Sequence, residues 1–464
     1  MNRRTWFALS MILIMAMLLA ACGGGAAEPT AAPEPTQAPA AAPADTPTEA
    51  PAEAPTDTPV VEAPTEAPME EPTEAPMEEP TAAPAQEAAG DMVTLTVWAD
   101  DTRAPALNSF APQLEADYGV KLEVQELAFG DIRDNVKLAA PAGEGPDLFI
   151  GAHDWIGELY INGLLAPIDL GDKAQEFFQP ALDLFTYDGQ LVGLPYATEN
   201  VAFFYNKDLV PEAPTTWDQV IEVSKQLQAD GTATYGWAMQ TPGDAYHFYP
   251  VMTAFGGYVF GTDADGNWDP SDVGLDSEGS LAAAQFLDQA VKDGVLVDGV
   301  DWDTMHVLFE GGDAAMIITG PWALPRLRDA GINYGIANLP SATQAGQPFL
   351  GGQGFFINQF SDNKLLAQTV ATELLATPEV MQAMFDVDPR PSAYQSVRDG
   401  VDDPDFAAFA EAGANAIPMP TIPEMSAVWG PWGDAITLIF QQAEDPVAAF
   451  TNAAEQVRTA IEGS

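Results

Sequence analysis

Cysteine is all but missing. Cys22 is the only one in 464 residues, which excludes an intrachain disulfide and leaves the rest of the chain without thiol chemistry. Histidine is nearly as scarce. His153, His247 and His306 share no metal-ligand spacing with one another or with Cys22, so a zinc site is not expected. Basic residues number 16 against 69 acidic ones, a formal net charge of −53. A chain so acidic repels phosphate backbones, which excludes nucleic acid as a partner. The acidity serves solubility and says little about fold. A phosphate-binding loop, a dinucleotide fingerprint and a nucleophile elbow are all lacking, so neither a cofactor nor an enzymatic centre of those kinds is expected. No apolar run reaches the length of a spanning helix; the longest covers Trp6 to Ala20.

Arg3 and Arg4 precede that run, and Ala20 and Ala21 end it, which is the layout of a secretory signal peptide over residues 1–21. The junction Leu19-Ala20-Ala21-Cys22-Gly23 resembles a bacterial lipobox, in which the cysteine sulfur receives a diacylglycerol and the chain is cut just before it. Two or more acyl chains anchor a protein stably where one does not. The resemblance therefore implies lipid attachment at Cys22, on the extracellular face of the cytoplasmic membrane. Residues 22–90 then repeat short proline units, with Thr-Glu-Ala-Pro at 48–51, 65–68 and 73–76. Frequent proline denies helix and sheet their hydrogen bonds. The tract has fourteen acidic residues, no basic ones and no aromatics, a composition expected to stay disordered and to act as a tether.

From Met92 onward the pattern changes. Met92 to Trp98 alternates and predicts a strand. Leu107, Phe110, Leu114 and Tyr118 recur at helical spacing and predict a helix over Ala104 to Tyr118, stopped by Gly119. Val120 to Leu127 predicts a second strand, Asp131 to Ala140 a helix, Asp147 to Ile150 a strand and Asp154 to Ile161 a helix. Farther on, helices are predicted at Trp217–Gln228, capped by Thr215 or Thr216, and at Leu281–Lys292, Asn363–Leu375, Pro378–Phe385, Phe406–Glu411 and Val447–Ile461, with a strand at Met316–Thr319. Strands alternating with helices give an α/β fold with a largely parallel sheet, whose ligands bind beyond the carboxyl ends of the strands. Asp263-Ala-Asp265-Gly-Asn267 begins like a calcium loop, but its twelfth position is Gly274, so a hairpin turn is expected.

The remaining chemistry lies in aromatic residues beside acids at strand ends: Trp98 with Asp100 and Asp101, His153-Asp154-Trp155, Glu199, Tyr246-His247, Trp322, and Trp429 with Trp432. Flat rings match the C–H faces of sugars, and carboxylates accept charge-strengthened hydrogen bonds from paired hydroxyls. Any single tryptophan is as readily explained by core packing; the clustering at strand ends favours a site.

Several segments, in order, resemble the maltose/maltodextrin-binding proteins of ATP-driven importers. They are Gly145-Pro-Asp-Leu-Phe-Ile-Gly-Ala-His153-Asp154, Gly163-Leu-Leu-Ala-Pro-Ile168, Phe204-Tyr-Asn-Lys-Asp-Leu209, Thr216-Trp217, Gly320-Pro-Trp322 and Met419-Pro-Thr-Ile-Pro-Glu-Met-Ser426. The resemblance implies a two-lobed, type II periplasmic-binding-protein-like fold joined by a hinge. Lobe one would comprise residues 91–197 plus 353–398, and lobe two residues 198–352 plus 399–464. It also implies a monomer that closes on an oligosaccharide and docks on a membrane permease. By position, Asp154 and Glu199 would bond sugar hydroxyls, Asp100 and Asp101 would lie in the first ligand loop, and Arg103 would stand for a sugar-binding lysine. Tyr246, Trp322 and Trp429 would be stacking platforms, and Met419 would line the cleft.

The sequence also departs from the family. Gly151 stands where a stacking tryptophan is found and Trp155 where an arginine is found. Gly430 replaces a tyrosine, with Trp432 adding an indole nearby, and His247 replaces an aromatic. An acidic ligand before Tyr246 has no match, and Asp244 is the available substitute. These changes leave open another ligand (a cyclodextrin, trehalose or a non-glucan oligosaccharide) and, more remotely, a secreted glycoside hydrolase built on Asp154 and Glu199. The N-terminal reading has a direct check: the Cys22→Ala variant should move from the membrane fraction into the medium, and retention in membranes would overturn lipid anchoring.

Overall fold

The computed structural model describes residues 92–463. The signal segment, Cys22 and the tether through residue 90 lie outside the described residues. Two sheets organise the described chain. The first is built on β1 (Val93–Ala99), β2 (Val120–Glu126) and β3 (Leu148–Ala152), with β2 and β3 both parallel to β1. Two further strands of the same sheet are β4 (Leu165–Ala166) and β5 (Leu194–Glu199). The second sheet holds β6 (Ala202–Asn206), β7 (Tyr235–Ala238), β8 (Ala314–Thr319) and β9 (Tyr334–Ala337), in the order β9-β6-β8-β7. The chain then returns to the first sheet through β10 (Phe349–Asn358) and β11 (Ile417–Pro418).

Both sheets are mixed, which corrects the expectation of a largely parallel one. β10 runs antiparallel to β3, β4 and β5 and occupies the middle of the first sheet. β6 runs antiparallel to β8 and β9. β10 (Phe-Leu-Gly-Gly-Gln-Gly-Phe-Phe-Ile-Asn) escapes a propensity reading because three glycines interrupt it, and glycine in a strand marks close approach rather than strand preference. A Cβ at Gly351 would lie 2.8 Å from Glu199 Cγ, and one at Gly354 would lie 2.3 Å from Phe185 Cε1.

Local chemistry accounts for the element ends. The segment 104–118 is two helices, Ala104–Ser109 and Ala111–Tyr118, split at Phe110. Pro112 cannot donate to the carbonyl four residues back and so starts a new helix. Gly119, at φ 64°, ends the second one. The helix Trp217–Ala229 is capped by Thr216, whose hydroxyl accepts from Gln219 N at 3.2 Å. The helix expected at 363–375 changes to π geometry over Val370–Leu375. Helix Trp429–Phe440 reads as a loop because Gly430, Pro431 and Gly433 stand near its start. There a missing N–H costs nothing, since the first four donors of a helix have no partner within it. Asp263–Asn267 does close a hairpin between Phe260–Thr262 and Trp268–Val273. The Asp263 carboxylate accepts from the amides of Asp265 and Asn267, each at 2.9 Å.

Each sheet has its own cores. Trp217, Trp237, Phe203 and Phe248 fill one side of the second sheet. Leu95, Leu148, Ile150 and Phe355 line one face of the first, and Phe149 and Phe356 the other. Among the described residues no helix is long and apolar enough to cross a membrane.

Helix Ile156–Ile161 packs against Pro423–Ala427 with no side chain between them at Gly157. A Cβ there would lie 2.2 Å from Thr421 O and 2.5 Å from Pro423 N. Alanine gains about 1 kcal/mol in helix propensity over glycine. Overpacking against fixed backbone costs about 1–3 kcal/mol, and more when the backbone must move. Gly157→Ala should therefore lower stability by about 2 kcal/mol in urea titration; a rise would show that this contact yields freely.

Candidate functional site

The segments beyond β1, β3, β5, β7 and β8, together with residues 419–432, carry the candidate side chains. A chain of buried charge holds these loops in register. Asp100 ends β1's loop, and its carboxylate accepts from the amides of Thr102 and Arg103, each at 3.1 Å, while pairing with the Arg103 guanidinium. Arg103 Nε donates to Tyr196 Oη at 2.9 Å and to Asp388 at 3.0 Å. Asp388 pairs in turn with Arg390, which pairs with Glu199 at the end of β5. Gln353 of β10 donates to the same Glu199 at 3.2 Å. Asp100, Arg103, Tyr196, Asp388, Arg390, Glu199 and Gln353 are all buried. Burial pushes the Tyr196 phenol up, with Arg103 and Arg390 working against it.

His153 pins three segments together. Gly352 N donates to its Nδ1 at 3.0 Å. The ring proton is therefore on Nε2, which donates to Met419 O at 3.2 Å. Burial depresses this imidazole to about 4. Next to it Asp154 is half-buried. Burial pushes its carboxyl up to about 6, opposed by Arg133 and by a hydrogen bond from Trp429 and reinforced by Glu199. Burial raises the Tyr246 phenol well above its ordinary range, and Glu199 adds to the effect.

The rings lie flat on glycine. At Gly320 a Cβ would come within 2.2 Å of the Trp322 ring, so the indole rests on main chain. The Arg390 guanidinium stands 5.2 Å from that ring's centroid. Tyr246 lies 6.2 Å from Trp322 and 6.1 Å from Phe349, and Phe349 lies 6.2 Å from Trp429. Trp155 lies over Gly151, where a Cβ would come within 2.6 Å of it, and its ring is 5.0 Å from Phe129. The space beside Gly151 is thus filled by an indole carried four residues later. Asp244 caps helix Ala245–Ala254, accepting from His247 N at 3.2 Å, and its carboxylate pairs with His247 Nδ1. Tyr246 Oη, His247 Nε2 and Gln353 Oε1 are buried without a hydrogen-bond partner among the described residues. Each such atom costs about 1–3 kcal/mol.

Asp154, Glu199, Tyr246, His247, Trp322, Met419 and Trp429 are thus linked to one another through these contacts. Asp100 and Arg103 join this group through Asp388 and Arg390, and with Asp101 they border a cavity of about 530 Å³ that Glu126 and Phe129 also line. Asp101 is exposed there. The donors of Arg103 are engaged by Asp100, Asp388 and Tyr196, so it shapes the loop from within. Trp432 is 0% exposed and packs behind Tyr249 and Trp429, with its indole Nε1 buried and unpartnered among the described residues. Trp98 is likewise core, with Nε1 donating to Gln125 at 2.9 Å. Sequence reasoning missed Tyr196, Phe349, Gln353, Asp388 and Arg390. The signal for Arg390 was available: with 16 basic residues against 69 acidic ones, a buried arginine is worth locating first.

Burial also depresses His306 to about 4. The two depressed histidines supply stability that is full above about pH 6.5 and is lost as pH falls toward 4. Asp154, raised to about 6, acts oppositely: the folded form takes up its proton first, which offsets part of that loss. Asp154→Asn removes the offset, so its stability should fall more steeply than that of the unsubstituted chain between pH 6.5 and 4. Parallel pH profiles in denaturant titration would contradict the raised carboxyl.

Residues 109–416 match the family model described as bacterial extracellular solute-binding protein. The chain is 31% identical to a galactooligosaccharide-binding protein of Bacillus subtilis over 384 residues, covering 79% of this chain and 89% of that one. It is 33% identical to a maltotriose-binding protein of Pyrococcus abyssi over 311 residues, 65% and 67% of the two chains. It is 28% identical to a maltooligosaccharide ABC transporter solute-binding lipoprotein of Streptococcus pneumoniae over 358 residues, 74% and 83% of the two chains. The α/β fold of two mixed sheets, the strand-end site and the match over most of the chain make this protein a member of the bacterial extracellular solute-binding proteins.

Proposed function

We propose that this protein binds an oligosaccharide of the maltooligosaccharide class and delivers it to the permease of an ABC importer. In this reading the lobes are residues 91–197 plus 353–398 and 198–352 plus 399–464, which close on the sugar as a monomer. The chain is held at the extracellular face of the membrane through Cys22. The observation that carries the proposal is the grouping of Trp322, lying flat on Gly320, with Tyr246, Glu199 and Asp154. A ring platform beside carboxylates fits a pyranose, whose faces are apolar and whose rim is hydroxylated. Tyr246 Oη, His247 Nε2 and Gln353 Oε1 supply further partners for hydroxyls. The names of two relatives, maltotriose-binding and maltooligosaccharide-binding, support the class.

A second reading is a galactooligosaccharide or other non-glucan ligand. It is favoured by the relative named for galactooligosaccharides and by the Gly151–Trp155 and Asp244–His247 arrangements, which differ from the maltodextrin pattern. Both readings describe binding without turnover; steady release of reducing sugar from maltoheptaose would replace them with a hydrolase.

Calorimetry with maltotriose, cyclodextrin, trehalose and galactooligosaccharides separates the ligand classes. If galactooligosaccharides alone bind, the second reading holds. Trp322→Ala should weaken binding of the sugar that the unsubstituted chain takes by about 1–3 kcal/mol; unchanged affinity would remove the platform.

A further inference from the structure

A cavity of about 620 Å³ lies on the other face of the strand end that carries Glu199. Successive side chains of a strand point to opposite faces. Glu199 meets Arg390 and Gln353 on one side, while Thr198 and Asn200 line the cavity on the other. Phe178, Phe385 and Phe406 supply apolar walls.

Arg398 also lines this cavity. Its guanidinium stacks on Phe178, with Cζ 4.1 Å from the ring centroid. Nη1 donates to Thr198 Oγ1 at 3.1 Å and to Ser392 O at 3.3 Å. Its Nε and Nη2 protons have no acceptor among the described residues. Every other described arginine has a carboxylate ion pair: Arg103, Arg133, Arg326, Arg328, Arg390 and Arg458. Among the described residues Arg398 has none, in a strongly acidic chain. Burial draws its pKa down, and only the neighbouring Asp399 offsets this. A half-buried guanidinium is satisfied by an anionic acceptor, most strongly by a carboxylate taken through two N–H groups.

We propose that this cavity is a second ligand site, distinct from the sugar site, for a small monocarboxylate with an apolar body. Arg398 takes the carboxylate through Nε and Nη2, and the phenyl walls cover the remainder. The size falls in the range of small-molecule pockets. Two acids in the wall set the charge limit: Asp403 is paired with Arg328, whereas Asp402 is exposed and repels a second negative group. A polyanion is therefore excluded.

The test uses the full chain without sugar, so it stands whatever the sugar turns out to be. Hydrocinnamate and isovalerate are titrated calorimetrically and by thermal shift, with hydrocinnamide as the uncharged control. Hydrocinnamate should bind and raise the melting temperature, and hydrocinnamide should do neither. Arg398→Gln should weaken hydrocinnamate binding about tenfold or more. Ala410→Trp, which leaves Arg398 untouched and fills the cavity from the helix Pro404–Ala412, should abolish it; this variant decides the matter if Arg398→Gln does not fold. Failure of both carboxylates to bind the unsubstituted chain overturns the proposal. So does equal binding of hydrocinnamide, or binding that survives Ala410→Trp.

Discussion

The run of alternating charge from Asp100 through Arg103, Asp388 and Arg390 to Glu199 is what the rest of the site rests on. Taking a charge out of water costs several kcal/mol, and mutual pairing offsets that cost only when every partner is present. Three carboxylates share two guanidiniums here, with Tyr196 and Gln353 supplying neutral hydrogen bonds. These residues come from the loop after β1, from β5, from β10 and from the segment before residue 392. No one of those segments can shift without exposing a buried charge to an unpaired neighbour. The same Arg390 faces Trp322 and the same Glu199 acts on Asp154 and Tyr246, so the network fixes both the platform and the field around it.

The second constraint is the pairing of ring with glycine. Trp322 on Gly320 and Trp155 on Gly151 are contacts that a single methyl group would destroy. In both, one face of the indole rests on main chain while side chains, Phe129 at Trp155 and Arg390 and Tyr246 at Trp322, bound the rest of the ring. At Gly151 the aromatic surface over the strand end is supplied by Trp155, four residues farther along the chain.

Much of this was legible in the sequence and some was not, for physical reasons. The first strands follow directly from alternation and Gly119 marks a helix end correctly, but helical spacing did not reveal the break that Pro112 makes at Phe110. Asp154, Glu199 and Trp322 could be picked out as acids and a ring at or just beyond strand ends, whereas Tyr246 lies in the first turn of a helix. β10 was hidden because close packing on Glu199 and Phe185 requires glycines, which suppress a strand signal. Pairings such as Arg103 with Asp388 span 285 positions, so no local pattern announces them. The burial of Trp432 was not legible either, because a tryptophan in a core and one on a surface look identical in a string of letters.

The stretch from Met419 to Trp429 is sewn into both halves of the described chain. His153 holds the Met419 carbonyl, Met419 N donates to Leu350 O at 3.2 Å, and Gly157 seats against Thr421 and Pro423. Met425 and Val428 meanwhile sink into the core of the second sheet. Trp429 opens the helix that follows this anchored stretch. Immobilising a side chain during association costs about 0.5–1.5 kcal/mol. Side chains carried on a stretch fixed at so many points surrendered much of that entropy when the chain folded.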